Sequence, residues 1–408
     1  MTFPTASVLS SLLRENPVVI TGLGVFSAAG TTVGELWTSA LQGRCPAQWR
    51  RYARGQFAVC AAPDIPPQPV VAKMDRSAQL AAAAAQQAWN DAGLSRCAPP
   101  ACRIGVIVGT SRGPVGKWIE SLRCAEAGRM LPSLAATSNI AALSGALSII
   151  FHAQGPSDTV SAACASSANA IALAAQHILL GTADVVLAGG AEAPLEPVIL
   201  AQLQAAGILG ADADPARTCR PFAKDRNGTI LGEGAAFLVL ESARSARQRG
   251  AAVHARLAGW SVAAEGYQRT GITETARGLR QVLEGAIAMS GLRASEIGYV
   301  NAHGTGTRLN DAQEATALRH CFPGGVPCSS TKPVTGHCMG AAAALEAVIC
   351  IAALQHRLLP PTANCLPLDP DCALDIIHTA PRPTATRAAL SISSGFWGHN
   401  AALIFSTR

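Results

Sequence analysis

Val160–Gly181 reads VSAACASSANAIALAAQHILLG, and the parsing of this stretch decides the fold. A β-prone run, Asp158–Ser161, meets small residues and then an alanine-rich segment with apolar residues at helical spacing. Cys164 is therefore placed where strand turns into helix. Backbone N–H groups and the positive end of the helix dipole favour thiolate over thiol at such a point. The small neighbours Ala162, Ala163 and Ala165 leave room for an acyl group, and Gly181 stops the helix.

Upstream, Val18–Gly24 (VVITGLG) and Ile104–Gly109 (IGVIVG) read as buried strands. Between them lie a helix over Thr31–Gln42, a proline-rich loop at Pro63–Pro69 and an alanine-rich helix over Lys73–Ala92 that Gly93 closes. Ser138–Phe151 again has helical spacing. Downstream follow a strand at Val185–Gly190, a loop of turn formers at Arg220–Gly234, a strand at Ala235–Glu241 and a helix at Ser242–Gly250. A strand near Val253–Trp260 marks the midpoint. In the second half, Ile297–Asn301 is a strand that delivers HGTGT, Val326–Ser329 is another, and Gly340–His356 is an alanine-rich helix. Alternation of this kind predicts an α/β fold with mostly buried sheets. The unit Val326–Leu359 repeats the plan of Thr159–Gly181: strand, small-residue turn, reactive side chain, alanine-rich helix. That likeness suggests a duplication.

At 408 residues the chain can bury a large core, and 49% hydrophobic against 14% charged residues excludes a disordered or fibrous protein. Its 13 cysteines are dispersed without CxxC spacing and follow no secretory segment, so they read as reduced thiols in the cytoplasm. The opening MTFPTASVLSSLLREN has neither a basic leader nor spanning length, and a soluble protein with no membrane association is expected. The net charge of +6, with a cluster at Arg44, Arg50, Arg51 and Arg54, favours an acidic partner or a simple solvated face. No aromatic interleaving or known module accompanies it, which argues against nucleic acid.

Three segments carry candidate chemistry: Cys164 in AACASS, His303 in NAHGTGT and His337 in STKPVTGHCMGAAAALEA. Each follows a short strand among small residues, so the three can converge at strand ends. A cysteine with two histidines is a nucleophile with two donors or bases.

At these residues the chain resembles the elongating β-ketoacyl-acyl-carrier-protein synthases of the thiolase superfamily, the ketosynthases of fatty acid and type II polyketide assembly. The likeness runs from about Val18 to Phe405 through GPSDTVSAACASSANAI, RPFAKDRNGTILGEGAA, NAHGTGTRLNDAQEA, STKPVTGHCMGAAAALEA and GFWGHNAALIF, in the family's order. It implies a thiolase-like fold of two similar halves in a layered αβαβα arrangement. Residues 1–17 would form a tail, 18–256 the half with the nucleophile and 257–408 the half with the histidines.

The resemblance also implies roles. Cys164 takes an acyl chain from a carrier thioester, with its own N–H and that of Phe396 as oxyanion hole. His303 and His337 hold the malonyl thioester for decarboxylation and Claisen condensation. Lys332 matches the family lysine, with Glu314 as its expected partner and Asp311 nearby; Glu346 matches a further family acid. Thr270, Thr305 and Thr307 match positions that hold the phosphopantetheine arm, and the loop Glu265–Thr273 is expected to move with the gate Phe396. No metal or cofactor is implied beyond that carrier-borne arm. The implied partners are an acyl carrier protein and a second subunit, either a copy or a ketosynthase-like chain-length factor.

Some residues depart from the family pattern. Trp397 replaces a glycine after the gate and Ser394 a phenylalanine. Arg112 stands where relatives place an apolar residue lining the distal acyl pocket. Only Lys73 and Arg76 remain of the basic stretch near KMD, so either carrier docking uses the Arg44–Arg54 cluster with Arg217 or Arg220, or the carrier protein is a dedicated one. The departures favour a specialised type II polyketide or aryl polyene pathway over housekeeping fatty acid elongation. A noncatalytic, chain-length-factor-like subunit is disfavoured by the intact Cys164, His303 and His337. A thiolase is disfavoured because GFWGHN lacks a second cysteine.

Overall fold

The structure is a computed structural model describing residues 4–52, 55–267, 273 and 275–407. The first half supplies strands β1 (Val18–Ser27), β2 (Ile104–Gly109), β3 (Ser157–Val160), β4 (Val185–Glu192) and β5 (Gly234–Ser242). They pair in the order β3-β2-β4-β5-β1; β2 is parallel to β3 and β4, and β5 antiparallel to β4 and β1. The second half supplies β6 (Ala255–Ala264), β7 (Val300–Asn301), β8 (Pro327–Ser329), β9 (Asp375–Ile376), β10 (Ala388–Ser394) and β11 (His399–Ser406). Their order β8-β7-β10-β11-β6 repeats that of the first half in topology and direction, with β9 added at the edge. The two sets join where β1 meets β6 through the pairs Val19↔Arg256 and Ile20↔Ala255. The division expected after residue 256 falls inside β6.

The helices that build the layers are α1 (Pro4–Glu15), α2 (Arg76–Asp91), α3 (Ala142–Ile150), α4 (Ser166–Leu179), α5 (Arg277–Ser290), α6 (Arg308–Cys321) and α7 (Ala342–His356). One apolar core takes Ile171 from α4, Leu345 from α7, Val186 and Leu238 from the first set of strands and Leu403 and Phe405 from the second. The middle helices therefore lie between the two sets of strands. A second core joins α2 and α3 to the outer face of the first set, and a third joins α5 and α6 to that of the second. The αβαβα layering follows.

Close approach explains why glycine and alanine dominate the packing. A Cβ on Gly24 of β1 would stand 2.0 Å from the Ala84 carbonyl oxygen of α2. Only a bare backbone fits beneath that helix. The stretch expected as a tail is instead helix α1, with Leu13 buried in the middle core and Leu9 packed against it, a spacing that gives the segment one apolar edge. Met339–His356 is long and apolar enough to span a bilayer, yet 89% of it is buried in the core. All 13 cysteines are unpaired.

Candidate active site

The nucleophile turn is built by β3 and α4. After Val160 the chain reverses through Ala163, whose φ of 49° is left-handed, and enters α4 at Ser166. Gly395, just beyond β10, packs on this turn: a Cβ there would lie 2.9 Å from the Cys164 nitrogen. His303 follows β7. His337 follows Gly336, whose φ of 68° and close approach to Cys60 and Gly232 leave no space for a side chain. The duplicated topology thus sets Cys164 and His337 in equivalent places, each between a short strand and a middle-layer helix.

The three side chains meet. His337 Nε2 lies 3.1 Å from Cys164 Sγ, and the His303 and His337 rings are 5.4 Å apart at 82°. The cysteine sulfur and one nitrogen of each imidazole all fall within 4.8 Å of one another. They open on a cavity of about 380 Å³ that Thr305, Thr307, Ser394 and Phe396 also line. The two threonine hydroxyls are 2.9 Å apart. Thr270 lies outside the described residues.

Burial governs the electrostatics. It pushes the Cys164 thiol up to about 12, while the positive charge of Lys332 pulls it down. The resting nucleophile is therefore a thiol, and burial outweighs the helix end on which the sequence reading relied. Burial and Lys332 also hold both histidines well below the usual imidazole range, so they are neutral. A Cys-His-His set has the ligand count of a zinc site, but ligating imidazoles normally donate their second N–H to an acceptor. Nδ1 of both His303 and His337 is buried with no partner among the described residues, so the surroundings do not fit a metal.

Behind the cavity the expected pairing of Lys332 with Glu314 is replaced. Lys332 Nζ donates to Glu346 Oε1 at 2.5 Å, and both side chains are buried. Glu314 instead accepts the backbone N–H groups of His303 and Gly304 at 2.6 and 2.7 Å and so shapes the turn that aims His303. Asp311 accepts from the Phe222 and Gly306 amides and pairs with Arg226. Burial raises Glu314 and Glu346 to about 7 and Asp311 to about 6.

Sequence reasoning missed Glu192, at the end of β4. It is fully buried and accepts the amides of Ser111, Arg112 and Gly340 at 2.6, 2.9 and 3.0 Å. It thereby ties the loop after β2 to the approach to α7. A lone glutamate after VVLAGGA was the only signal.

Two expected pocket residues are corrected. Trp397 does not line the cavity. Left-handed φ values at Trp397 and Gly398, 63° and 71°, turn the indole outward to 64% exposure while Phe396 stays half-buried at the cavity. Arg112 is not among the residues lining this cavity either: its backbone N–H binds Glu192, its Nε is buried without a partner among the described residues, and its positive charge still reaches Cys164. Arg220 is buried against Asp212 and cannot serve carrier docking as expected, whereas Arg44, Arg50 and Arg51 are exposed. Glu265 binds the Gly398 carbonyl through its N–H and the Asn400 amide through its carboxylate, which links the start of the 265–273 loop to the turn carrying Phe396.

Comparison with known proteins matches residues 61–246 to the N-terminal domain and residues 254–366 to the C-terminal domain of beta-ketoacyl synthases. Nodulation protein E of Rhizobium meliloti is 36% identical over 96% of this chain and 99% of its own length. The 3-oxoacyl-[acyl-carrier-protein] synthase 2 of Synechocystis sp. is 34% identical over 96% of this chain and 98% of its own. Among solved structures, the ishigamide ketosynthase/chain length factor superposes with a TM-score of 0.89 at 33% identity, covering 96% of this chain and 99% of that one. With both domains matched in order and the cysteine and two histidines gathered in one cavity, the chain belongs to the beta-ketoacyl synthase family.

Proposed function

We propose that the protein is an acyltransferase that extends carrier-bound acyl chains by two carbons through decarboxylative Claisen condensation. The observation that carries this reading is the contact of Cys164 Sγ with His337 Nε2 at 3.1 Å inside a cavity that also holds His303. Sγ attacks the acyl thioester carbonyl, the C–S bond to the carrier breaks, and the thiol proton passes by way of His337 to the departing carrier sulfur. The oxyanion is held by the N–H groups of Cys164 and Phe396. A malonyl thioester then enters. Neutral His303 and His337 donate N–H to its carbonyl, which stabilises the enolate left when carbon dioxide departs. The enolate carbon attacks the acyl-Cys164 carbonyl, the C–S bond breaks, and the departing thiolate takes a proton from water by way of His337, which restores the thiol.

Thr305 and Thr307 hold the amide-rich phosphopantetheine arm at the cavity mouth, and the exposed arginines Arg44, Arg50 and Arg51 meet an acidic carrier protein, in the cytoplasm. Lys332 and Glu346 position the histidines from behind. The absence of the usual phenylalanine at Ser394 supports a specialised type II polyketide or aryl polyene pathway. The likeness to a ketosynthase/chain length factor structure supports pairing with a second ketosynthase-like subunit.

Incubation with a panel of acyl-carrier proteins and malonyl-carrier protein, followed by weighing of the products, tests this. The 3-oxoacyl product should be absent for Cys164→Ala. It should form about 10²- to 10⁴-fold more slowly for His303→Ala and His337→Ala, with unchanged melting temperature. Condensation by Cys164→Ala would refute the mechanism, and no condensation by the wild type with any acyl chain would favour a noncatalytic subunit.

A further inference from the structure

A second cavity, of about 640 Å³, lies at the opposite ends of the strands that reach the catalytic cavity. Strand β10 begins at Ala388 on this cavity and ends at Ser394 on the catalytic one, about 20 Å away at strand rise. The two cavities share no lining residue.

Three arginines face the second cavity: Arg14 from the last turn of α1, Arg256 from β6 and Arg387 from the segment before β10. None of their guanidinium groups has a hydrogen bond or ion pair among the described residues. Elsewhere Arg76, Arg103, Arg226 and Arg249 pair with Glu233, Asp184, Asp311 and Glu241. The acid in this lining, Glu296, already accepts the Arg293 amide and Nε at 3.0 and 3.2 Å. Arg14 is explained by its place at a helix C-terminus. Arg256 is not explained in that way. It is half-buried on the strand where the two halves join, and its side chain lines the cavity.

The cavity also has an apolar floor from buried Leu13, Leu257 and Met289, with hydroxyls from Ser295 and Thr384 at its side. Its volume is that of a small-molecule site. A single carboxylate would leave two of the three guanidinium groups unpaired. A diphosphate matches both the charge and the paired donors of the arginine fork.

We propose that this cavity binds a small diphosphate-bearing organic anion, its phosphates on Arg14, Arg256 and Arg387 and its body on Leu13, Leu257 and Met289. The site is independent of the condensation chemistry. Calorimetric titration of the full chain with ADP, with pyrophosphate and with uncharged adenosine tests it. ADP and pyrophosphate should bind, ADP the more tightly, and adenosine should not. Arg256→Gln and Arg387→Gln should each weaken ADP about tenfold or more, as expected for one lost charge-assisted contact. Arg247→Gln, at a residue that does not line the cavity, should have no effect. Arg387 is exposed, so its variant keeps the test valid if Arg256→Gln misfolds. Alkylation of Cys164 should leave ADP binding intact, and wild-type condensation should persist in both variants. ADP binding that survives both substitutions, that alkylation abolishes or that adenosine matches would overturn the proposal. So would no binding of either anion, including the case in which Arg256→Gln weakens only carrier-protein binding.

Discussion

At the scale of single residues, the site depends on charges kept out of water. Because burial sets the Cys164 thiol at about 12, its alkylation by iodoacetamide should rise about tenfold per pH unit from pH 7 to pH 9 without levelling. Peptide mass spectrometry would follow it, and a plateau below pH 8 would reveal a stable thiolate–imidazolium pair instead. The Lys332–Glu346 pair is buried on both sides, so removal of one partner leaves an uncompensated charge. Glu346→Ala should cost about 3–5 kcal/mol in denaturant unfolding, and Lys332→Met with Glu346→Leu should recover most of it. An additive loss in the double variant would contradict this. The nucleophile and histidines were legible because each stands alone among small residues after a strand. The partner of Lys332 was not, because Glu314, Asp311 and Glu346 are equally suitable acids until the fold assigns two of them to backbone amides.

At the scale of elements, strand-to-helix turns aim the reactive groups, and glycine permits their close contacts. A Cβ on Gly109 of β2 would stand 2.4 Å from the Ser167 nitrogen, in the first turn of α4. Gly109→Ala should therefore push that turn and Cys164 aside, at a cost of about 1–3 kcal/mol in stability together with loss of acylation. Unchanged acylation would show that the turn can yield. Trp397→Gly should leave product chain length unchanged because the indole faces outward; a shifted profile would place the ring at the gate after all. Buried strands such as Ile104–Gly109 were legible as continuous apolar runs. Helices α5 and α6 were not among the elements read from sequence; in α6 the buried face carries Asp311, Gln313 and Glu314, so it shows no apolar stripe. The paired strands β10 and β11 were seen only as a motif. Trp397 escaped because a left-handed backbone turn, rather than residue type, decides where its side chain points.

At the scale of the whole molecule, the two halves repeat one topology and share the middle core, with Ile171 and Leu345 packed between both sets of strands. They should therefore unfold together. Far-ultraviolet circular dichroism and tryptophan fluorescence, reporting Trp37 and Trp89 in the first half and Trp260 in the second, should trace one coincident transition. Two separated transitions would mean that the halves are independent. The duplication was visible in sequence only as one pair of like units, because the strands before His303 and His337 are just two and three residues long and carry little periodicity. The central claim is that Cys164 holds the growing chain beside two neutral imidazoles. The most direct test is to mix the protein with an acyl-carrier protein alone, digest it and weigh the peptide containing Cys164. The account predicts an acyl adduct on that sulfur, discharged as a 3-oxoacyl product two carbons longer when malonyl-carrier protein is added. An unmodified Cys164 peptide accompanied by product formation would contradict it.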